Sequence, residues 1–281
     1  MAISAADVKK LREKTGAGMM DCKKALNEAG GDFDRAEEIL KELGLAAVAK
    51  RSGRATEEGR VFTYVGDAGA GILEISCETD FVARNEEFAA TGAELVKDAV
   101  EKNLSADDKG MNDRVAELAA TIKENMSVRR LEKIALSDKQ VALDYIHGDA
   151  GSLGVVVILD LSDASLKSNE AVLTLGKDLA MHAAAFSPLY LNEEAVDSAY
   201  LADQEKIFKA QAENMDKPEN VIQGIIKGKL KKHLKEICFT EQGFVKDDKR
   251  SVTQVLSDTG KEVGGEIKLT KYVVFRAGEE L

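Results

Sequence analysis

The chain has 281 residues, of which 44% are hydrophobic and 32% are charged, a composition typical of a globular protein long enough for two or more domains. Its net charge of -11 argues against broad binding to nucleic acid or to an anionic membrane, because phosphate binding requires a basic surface. No apolar run approaches the roughly 20 residues of a membrane span and the amino terminus lacks a signal-peptide pattern, so the protein is expected in the cytoplasm without nucleic-acid or membrane partners.

Residues 1–44 are predicted to form a small bundle of three short helices that end at glycine residues. Ser4 and Asp7 have the spacing of an amino-terminal cap, and Gly44 is the predicted end of the third helix. The helices are predicted at residues 4–16, 19–29 and 32–43.

The second of these helices is predicted to have a core face and a polar face. The core face carries four residues with helical spacing, namely Met19, Cys22, Leu26 and Ala29. Met20 lies instead on the polar face, beside lysine residues. An exposed methionine can arise by chance, but its flexible, polarisable side chain also suits a partner surface.

Residues 45–60 are predicted to form a linker, because they are rich in alanine and glycine and lose strong periodicity. The segment contains Lys50, Arg51 and Arg54, the one basic cluster at which RNA contact could be considered. A solvated linker with a short helical turn is the favoured interpretation.

A hairpin-plus-helix unit is predicted to occur twice, in residues 61–140 and in residues 141–192 together with 237–281. The sequence Gly-Asp-Ala-Gly stands at residues 66–69 and again at 148–151, and each copy precedes an apolar strand and then a helix. In the first copy Leu73, Ile75 and Cys77 alternate with other residues, which predicts a half-buried strand. Further helices are predicted near 106–125 and 251–256, and further strands at 128–136, 237–245 and 267–275.

The connection that follows this first strand carries Glu78, Thr79, Asp80, Phe81 and Val82. Connections run over the protein surface, so Phe81 either faces a partner or plugs the core beneath its own loop. In the register of the repeat, Asp80 and Phe81 fall opposite Asp163 and Ala164, so the second unit closes the same connection without an aromatic side chain. This comparison favours a functional role for Phe81.

Residues 193–236 are predicted to form a helical hairpin inserted into the second unit. Its helices are joined by a polar turn at 214–217, and its apolar side chains are expected to pack between the helices. These side chains are Ile207, Phe208, Val221, Ile222, Ile225 and Ile226. The arm either lies on the body or projects and pairs with another chain.

Three groups of residues closely resemble signatures of the bacterial elongation factor Ts family, and the resemblance covers essentially the whole chain. The groups are residues 15–26 (TGAGMMDCKKAL), residues 78–83 (ETDFVA), and residues 145–148 (YIHG) with 180–182 (AMH). The resemblance implies an α+β fold with an amino-terminal ubiquitin-associated-like module, two related antiparallel-sheet-plus-helix subdomains and a coiled-coil arm for self-association.

The resemblance also implies a function and the residues that perform it. Members of the family exchange guanine nucleotide on the GTPase elongation factor Tu, which they bind in its GDP-bound or nucleotide-free form. The turn formed by Thr79, Asp80, Phe81 and Val82 would act as a wedge that dislocates Mg²⁺ from the nucleotide site. The implied partner contacts elsewhere are Met19 and Met20 on the GTPase domain, and His147 and Gly148 on another domain.

Two other functional classes stay open from the residues alone. Glu78 and Asp80 could be an acid–base pair of an enzyme, although no companion nucleophile, metal-ligand spacing of histidines or phosphate-binding loop accompanies them. An adaptor could instead bind ubiquitin-like or ribosomal partners through the three-helix module. His147 could equally be a hairpin-edge histidine held by backbone groups.

The three cysteines predict neither a disulfide nor a metal site. Cys22, Cys77 and Cys238 are an odd number, lie far apart and form no Cys-x-x-Cys pair, which indicates reduced, apolar side chains. A protein without a cofactor that is not itself an enzyme is expected.

Overall fold

The computed structural model describes residues 3–67, 69–212 and 218–280. Within these residues the chain is an α+β protein, as predicted, with helices surrounding small antiparallel sheets. None of the described helices combines the length and the apolar character that crossing a bilayer would require. Ala68 of the first predicted hairpin turn and the predicted arm turn at 214–217 lie outside the described residues.

The amino-terminal module contains helices α1 (Ala5–Thr15), α2 (Met19–Glu28) and α3 (Phe33–Arg51). The predicted cap of α1 is confirmed, because the hydroxyl of Ser4 accepts from the amide of Asp7 while the Asp7 carboxylate accepts from the amide of Ser4. Gly16 ends the helix with φ of 67°, a conformation that glycine adopts without strain. The small core of the module consists of Val8, Leu11, Cys22, Ala25, Leu26, Ala36 and Ile39.

Two predictions for this module are wrong. Helix α3 does not stop at Gly44 but continues to Arg51, because the alanine-rich residues after Gly44 favour helix and the missing side chain of Gly44 lets α3 approach Ala120 closely. Met19 does not belong to the core face of α2, since 51% of it is exposed. As the first residue of the helix, it extends past the small bundle.

The first unit contains β1 (Glu58–Gly66), β2 (Gly69–Cys77), the single-turn helix α4 (Asp80–Ala83), α5 (Glu86–Glu101), α6 (Lys109–Ile122) and β3 (Met126–Ile134). The three strands form an antiparallel sheet in the order β1-β2-β3. Asn85 caps α5 through its side-chain oxygen, which accepts from the amides of Glu87 and Phe88.

The second unit contains β4 (Gln140–His147), β5 (Leu153–Leu161), α7 (Glu170–Phe186), the arm helices α8 (Ser198–Ala212) and α9 (Glu219–Ile237), a small hairpin of β6 (Gly243–Phe244) and β7 (Asp247–Ser251), α10 (Val252–Glu262) and β8 (Ile267–Arg276). Its main sheet has the order β4-β5-β8. The predicted strand at 237–245 is wrong: Ile237 still belongs to α9, and a 3-10 turn over Phe239–Glu241 follows before β6.

The two main sheets pack face to face, with helices on their outer sides. Their shared core contains Val61, Ala70, Ile72, Ile134, Ala142, Val156, Ile158, Val273 and Phe275. Strand β2 is therefore not half-buried as predicted, since all nine of its residues are buried, on one face by α5 and on the other by the second sheet. A buried strand of this kind gives the following turn a rigid base.

The arm helices pack mainly against each other and meet the body at their base, where Val196, Ile237 and Cys238 form a separate small core. The prediction that Ile207 and Val221 pack inside the arm is wrong, because both are exposed. Two of the predicted residues do pack there, since Ile226 is buried and Phe208 is in edge contact with the ring of His233. The Tyr200 hydroxyl lies 2.8 Å from Nε2 of the same histidine.

The prediction that the three cysteines are reduced, apolar side chains is confirmed. Cys22, Cys77 and Cys238 are all free and buried. Burial raises the pKa of the Cys77 thiol to about 12, so the thiol is neutral and acts as a donor.

Candidate partner-binding site

The connection between β2 and α5 holds out one large apolar side chain. Phe81 is 81% exposed, the highest value among the exposed large hydrophobic side chains of the described residues. The alternative that it plugs the core is therefore wrong. Asp80 beside it is exposed as well, and its carboxylate lies at a long distance of 3.8 Å from the guanidinium of Arg84.

The residues on either side of Phe81 anchor the turn. Val82 and Ala83 are buried in the core of the first unit. Thr79 is the amino-terminal cap of α4, with an extended backbone and a hydroxyl that accepts from the amide of Val82 at 3.4 Å. The thiol of Cys77 donates to the carbonyl oxygen of Thr79 at 3.2 Å. Phe81 thus projects from a turn whose own backbone is fixed from below.

The second unit has a comparable turn without the aromatic residue. Strand β5 is followed, after the same two-residue spacing, by Asp163, whose side chain caps a 3-10 helix over Ala164–Ser168. With Thr79 and Asp163 as equivalent caps, Phe81 corresponds to Ser165 and not to Ala164 as predicted. The corrected register still places no aromatic side chain at this position, which agrees with a role for Phe81 outside folding.

Met19 and Met20 lie on the exposed first turn of α2, with 51% and 74% of their surface accessible. The module that carries them is attached to the first unit through α6. An ion pair joins Lys41 to Glu117, and the guanidinium of Arg51 donates to the carbonyl oxygen of Ala119 at 3.1 Å. The methionines are therefore presented by a docked module and not by a freely tethered one.

His147 and Gly148 lie at the end of β4, where the chain turns towards β5. The ring Nδ1 of His147 lies 3.0 Å from the hydroxyl of Tyr145, so this nitrogen has a side-chain partner and not a backbone one. Gly148 begins the turn with φ of 79°. His147 itself is exposed.

Arg60 connects this hairpin turn to the turn that carries Phe81. Its guanidinium donates to the carbonyl oxygen of Ala83 at 3.2 Å, and its aliphatic part packs against Gly151. Ala150, in the same hairpin turn, packs against the core of the first unit. The structure therefore brings these two predicted contact regions to neighbouring positions.

Glu78 and two of the basic residues of the predicted linker, Arg51 and Arg54, make internal contacts. A carboxylate oxygen of Glu78 accepts from the amide of Asn125 at 2.6 Å, and the carboxylate pairs with Arg54 at 3.3 Å. These two contacts, the Asn125 amide first, lower the pKa of Glu78. The contacts give Glu78 and Arg54 structural roles, and neither the acid–base pair nor an RNA-binding cluster gains support from the geometry.

His182, part of the third signature, is also a structural residue. It is fully buried and stacks on Phe239, and its Nε2 donates to the side-chain oxygen of Gln242 while its Nδ1 accepts from the amide of Val245. This arrangement requires the neutral ring, and burial lowers the pKa of His182 accordingly. Among the described residues, no cluster of potential metal ligands occurs.

No pattern in the sequence points to the segment that contacts Thr79 from the other side. Glu124 follows α6, and its carboxylate accepts from both the amide and the hydroxyl of Thr79. In one sequence this residue looks like an ordinary polar residue between a helix and a strand. Only the fold shows that the two connections lie against each other.

Comparison with known proteins identifies the group to which the chain is similar. The family model described as elongation factor TS matches residues 78–279. Curated proteins named elongation factor Ts from Treponema denticola and Borrelia recurrentis are each 46% identical over 278 residues, 99% of this chain and 99% and 100% of their own lengths. The protein of that name from Borreliella burgdorferi is 42% identical over 276 residues, 98% of this chain and 99% of its own length.

Proposed function

The chain belongs to the elongation factor Ts family, and we propose that it binds elongation factor Tu and promotes the exchange of GDP for GTP. The single observation that supports the site of this activity is the exposure of Phe81 on an otherwise anchored turn. A large exposed apolar side chain on a rigid element is suited to enter a pocket or a seam of a partner. Such a protein would act in the cytoplasm, where translation takes place.

The proposed mechanism is a wedge. Bound Mg²⁺ demands near-octahedral oxygen geometry and tolerates little displacement of its ligands. If Phe81 enters between helices of the GTPase, burial of its side chain supplies about 2 to 3 kcal/mol towards a local rearrangement that moves the metal ligands. Asp80 would anchor the turn through hydrogen bonds to the partner, while Thr79 and Val82, held from below, keep its shape.

The factor does not choose which nucleotide is rebound. Because coupling between two ligands is reciprocal, a factor that weakens GDP binding is itself bound more weakly while GDP is present. GTP, the more abundant nucleotide in cells, then sets the direction. In this scheme the protein cycles without chemical change, and it is not itself an enzyme.

The test is the release of a fluorescent GDP analogue from purified elongation factor Tu. We expect catalytic amounts of the protein to accelerate release from Tu and to leave an unrelated GTPase unaffected. An enzyme would turn over a substrate alone, and an adaptor would bind Tu without changing release. The absence of acceleration at micromolar protein would overturn the proposed function.

Met20→Ala and His147→Ala should each weaken the complex with Tu by about tenfold, corresponding to about 1.4 kcal/mol. Both side chains are exposed in the free protein, so their loss leaves folding unchanged but removes contact area in the complex. The effect should lie mainly in faster dissociation, measured by surface plasmon resonance. Leu189→Ala, at another exposed apolar residue, is the matched control. Unchanged kinetics for both variants would confine recognition to the Phe81 turn.

Removal of the outer arm should leave exchange intact. A short glycine-serine link replacing residues 203–232 retains Tyr200 and His233, which already bring the two helices together. We expect the shortened protein to melt within a few degrees of the parent, to accelerate GDP release normally, and to show less self-association in sedimentation experiments. A folded variant that no longer speeds release would make the arm part of the exchange site.

The longer deletion of residues 195–235 is a useful comparison. It also removes Val196, Tyr200, Leu201 and Leu234, which form much of the small core at the arm base. This variant should therefore lose stability, which separates the contribution of the base from that of the projecting helices.

A further inference from the structure

We infer that Glu124 is a positioning residue for nucleotide exchange: it fixes the direction in which the turn presents Phe81. The inference rests on the proposed function for its consequence in exchange, but its structural part can be tested separately. Glu124 lies immediately after α6, in the segment Lys123–Asn125 that leads into β3. Its hydrogen bonds to the turn are to Thr79, so it acts on Phe81 through Thr79.

Glu124 binds Thr79 with both carboxylate oxygens. One oxygen accepts from the Thr79 hydroxyl at 2.8 Å, and the other accepts from the Thr79 backbone amide at 3.1 Å. Two hydrogen bonds from one residue to a single carboxylate fix both the backbone and the side chain of that residue. They hold Thr79 in the extended conformation, with φ of -131° and ψ of 153°, from which α4 starts.

Glu78 and Asn125, the neighbours of Thr79 and Glu124, form a second carboxylate–amide bond in which the donor and acceptor segments are exchanged. The amide of Asn125 donates to the carboxylate of Glu78 at 2.6 Å. The side-chain amide of Asn125 donates in turn to the carbonyl oxygen of Arg54 at 2.8 Å, and Asn125 is buried. Residues 78–79 and 124–125 therefore hold each other through reciprocal carboxylate–amide bonds, which leaves Glu124 little freedom to turn away.

The same segment also reaches the helix that carries the exposed methionines. Lys123 adopts a left-handed conformation with φ of 72° at the end of α6, and its ammonium lies 3.6 Å from the carboxylate of Asp21 in α2. Met20 belongs to the first turn of that helix. Residues 123–125 thus contact both the turn that carries Phe81 and the helix that carries Met20. This one segment therefore helps to set the position of the turn relative to α2.

The turn depends on such support because α4 is only four residues long. A single helical turn is not stable in isolation, since fixing its backbone costs more than its few hydrogen bonds return. The buried side chains of Val82 and Ala83 hold its far end, and the bonds of Glu124 hold its near end. Without Glu124 the near end loses a charged acceptor, and Phe81 can take several directions.

The experiment compares Glu124→Ala and Glu124→Gln with Glu132→Ala, a control that removes a carboxylate paired with Lys271 away from the turn. Hydrogen–deuterium exchange of the amides of residues 80–84 reports the order of the turn without any partner. Nucleotide release is measured over a range of protein concentrations, which separates the maximal rate from the half-saturating concentration. Thermal melting reports general stability.

Glu124→Ala should increase amide exchange in residues 80–84 about tenfold and lower the maximal rate of nucleotide release about tenfold, on the scale of one charged hydrogen bond. The half-saturating concentration should change less, because Met20 and His147 remain in place. Glu124→Gln should lie between parent and alanine variant, since its amide retains one acceptor oxygen. Glu132→Ala, which breaks an ion pair away from the turn, should behave as the parent.

Unchanged amide exchange in Glu124→Ala would overturn the inference, whatever the nucleotide kinetics show. A second outcome would also overturn it: Glu124→Ala speeds amide exchange but leaves the maximal rate of nucleotide release unchanged, while Phe81→Ala slows release. Exchange would then need Phe81 but not an ordered turn. If Phe81→Ala also leaves the maximal rate of nucleotide release unchanged, the proposed wedge mechanism is wrong. Amide exchange then shows independently whether Glu124 orders the turn.

Discussion

Phe81→Ala is expected to lower the maximal rate of GDP release from elongation factor Tu by roughly 30- to 150-fold, with almost no change in stability. The maximal rate should fall because burial of the Phe81 side chain, worth about 2 to 3 kcal/mol, occurs only when the turn enters the partner, and the alanine variant loses it. The free energy of unfolding should stay nearly unchanged because Phe81 is already exposed to water in the folded protein and contributes little to folding. Stopped-flow release at saturating protein and urea denaturation measure the two quantities.

Two other phenylalanines provide matched controls. Phe186→Ala removes another exposed aromatic ring, at the end of α7, and should leave release unchanged. Phe88→Ala removes a fully buried ring beneath the turn and should cost about 3 to 5 kcal/mol of unfolding free energy. If Phe81→Ala lowers stability as Phe88→Ala does, or releases GDP at the parent rate, the wedge is contradicted.

The local signals in the sequence located the turn that carries Phe81 and favoured an exposed, functional Phe81, but they did not show that its neighbour Val82 is buried. Capping residues such as Ser4 and Asn85 act within one turn of the chain, so their hydrogen bonds can be anticipated from spacing alone. The turn after β2 could be located for the same reason. Its exposure followed from the position between a strand and a helix, and from comparison with the second unit.

The sequence failed where distant segments meet. Gly44 was expected to end α3, but the helix continues because close packing against α6 uses the absence of a side chain there. The apolar residues of the segment 237–245 suggested a strand, yet most of them are needed at the base of the arm and around His182. Glu124 could not be singled out because its partner is 45 residues away along the chain.

The alternating pattern of β2 concealed the role of Glu74, and Glu74→Ala should cost as much stability as the core substitution Phe88→Ala. The predicted pattern of β2 placed Leu73 and Ile75 on the core face, so Glu74 belonged to the opposite, less buried face. In the structure that face is covered by the second sheet, and Glu74 is fully buried. A buried carboxylate requires charged or hydrogen-bonding partners.

Three donors surround the Glu74 carboxylate. Arg129 and Arg130, both on β3, bind it at 2.8 Å and 2.6 Å, and the amide of Gly278, beyond β8, donates at 2.9 Å. Arg130 also lies over the ring of Phe275 at 4.1 Å from its centre. The cluster therefore joins the first sheet to the last strand of the second and to the residues that follow it.

Glu74→Ala should lower the free energy of unfolding by about 3 to 5 kcal/mol, because it leaves two largely buried guanidinium groups without their common anion. Glu74→Gln should cost less, about 1 to 3 kcal/mol, since the amide oxygen still accepts hydrogen bonds. Asp113→Ala, which breaks the exposed ion pair with Lys109, should change stability by less than about 1 kcal/mol. Urea denaturation at constant pH compares the three variants.

The same variants separate stability from exchange. Glu74 supports the contact between the sheets and does not contact the Phe81 turn, so Glu74→Gln that remains folded at the assay temperature should release GDP from Tu at the parent rate. A loss for Glu74→Ala no larger than that for Asp113→Ala would mean that the two arginines find water or other acceptors when Glu74 is removed. A folded Glu74→Gln protein with a reduced maximal rate would mean that the packing of the two sheets also controls the orientation of Phe81.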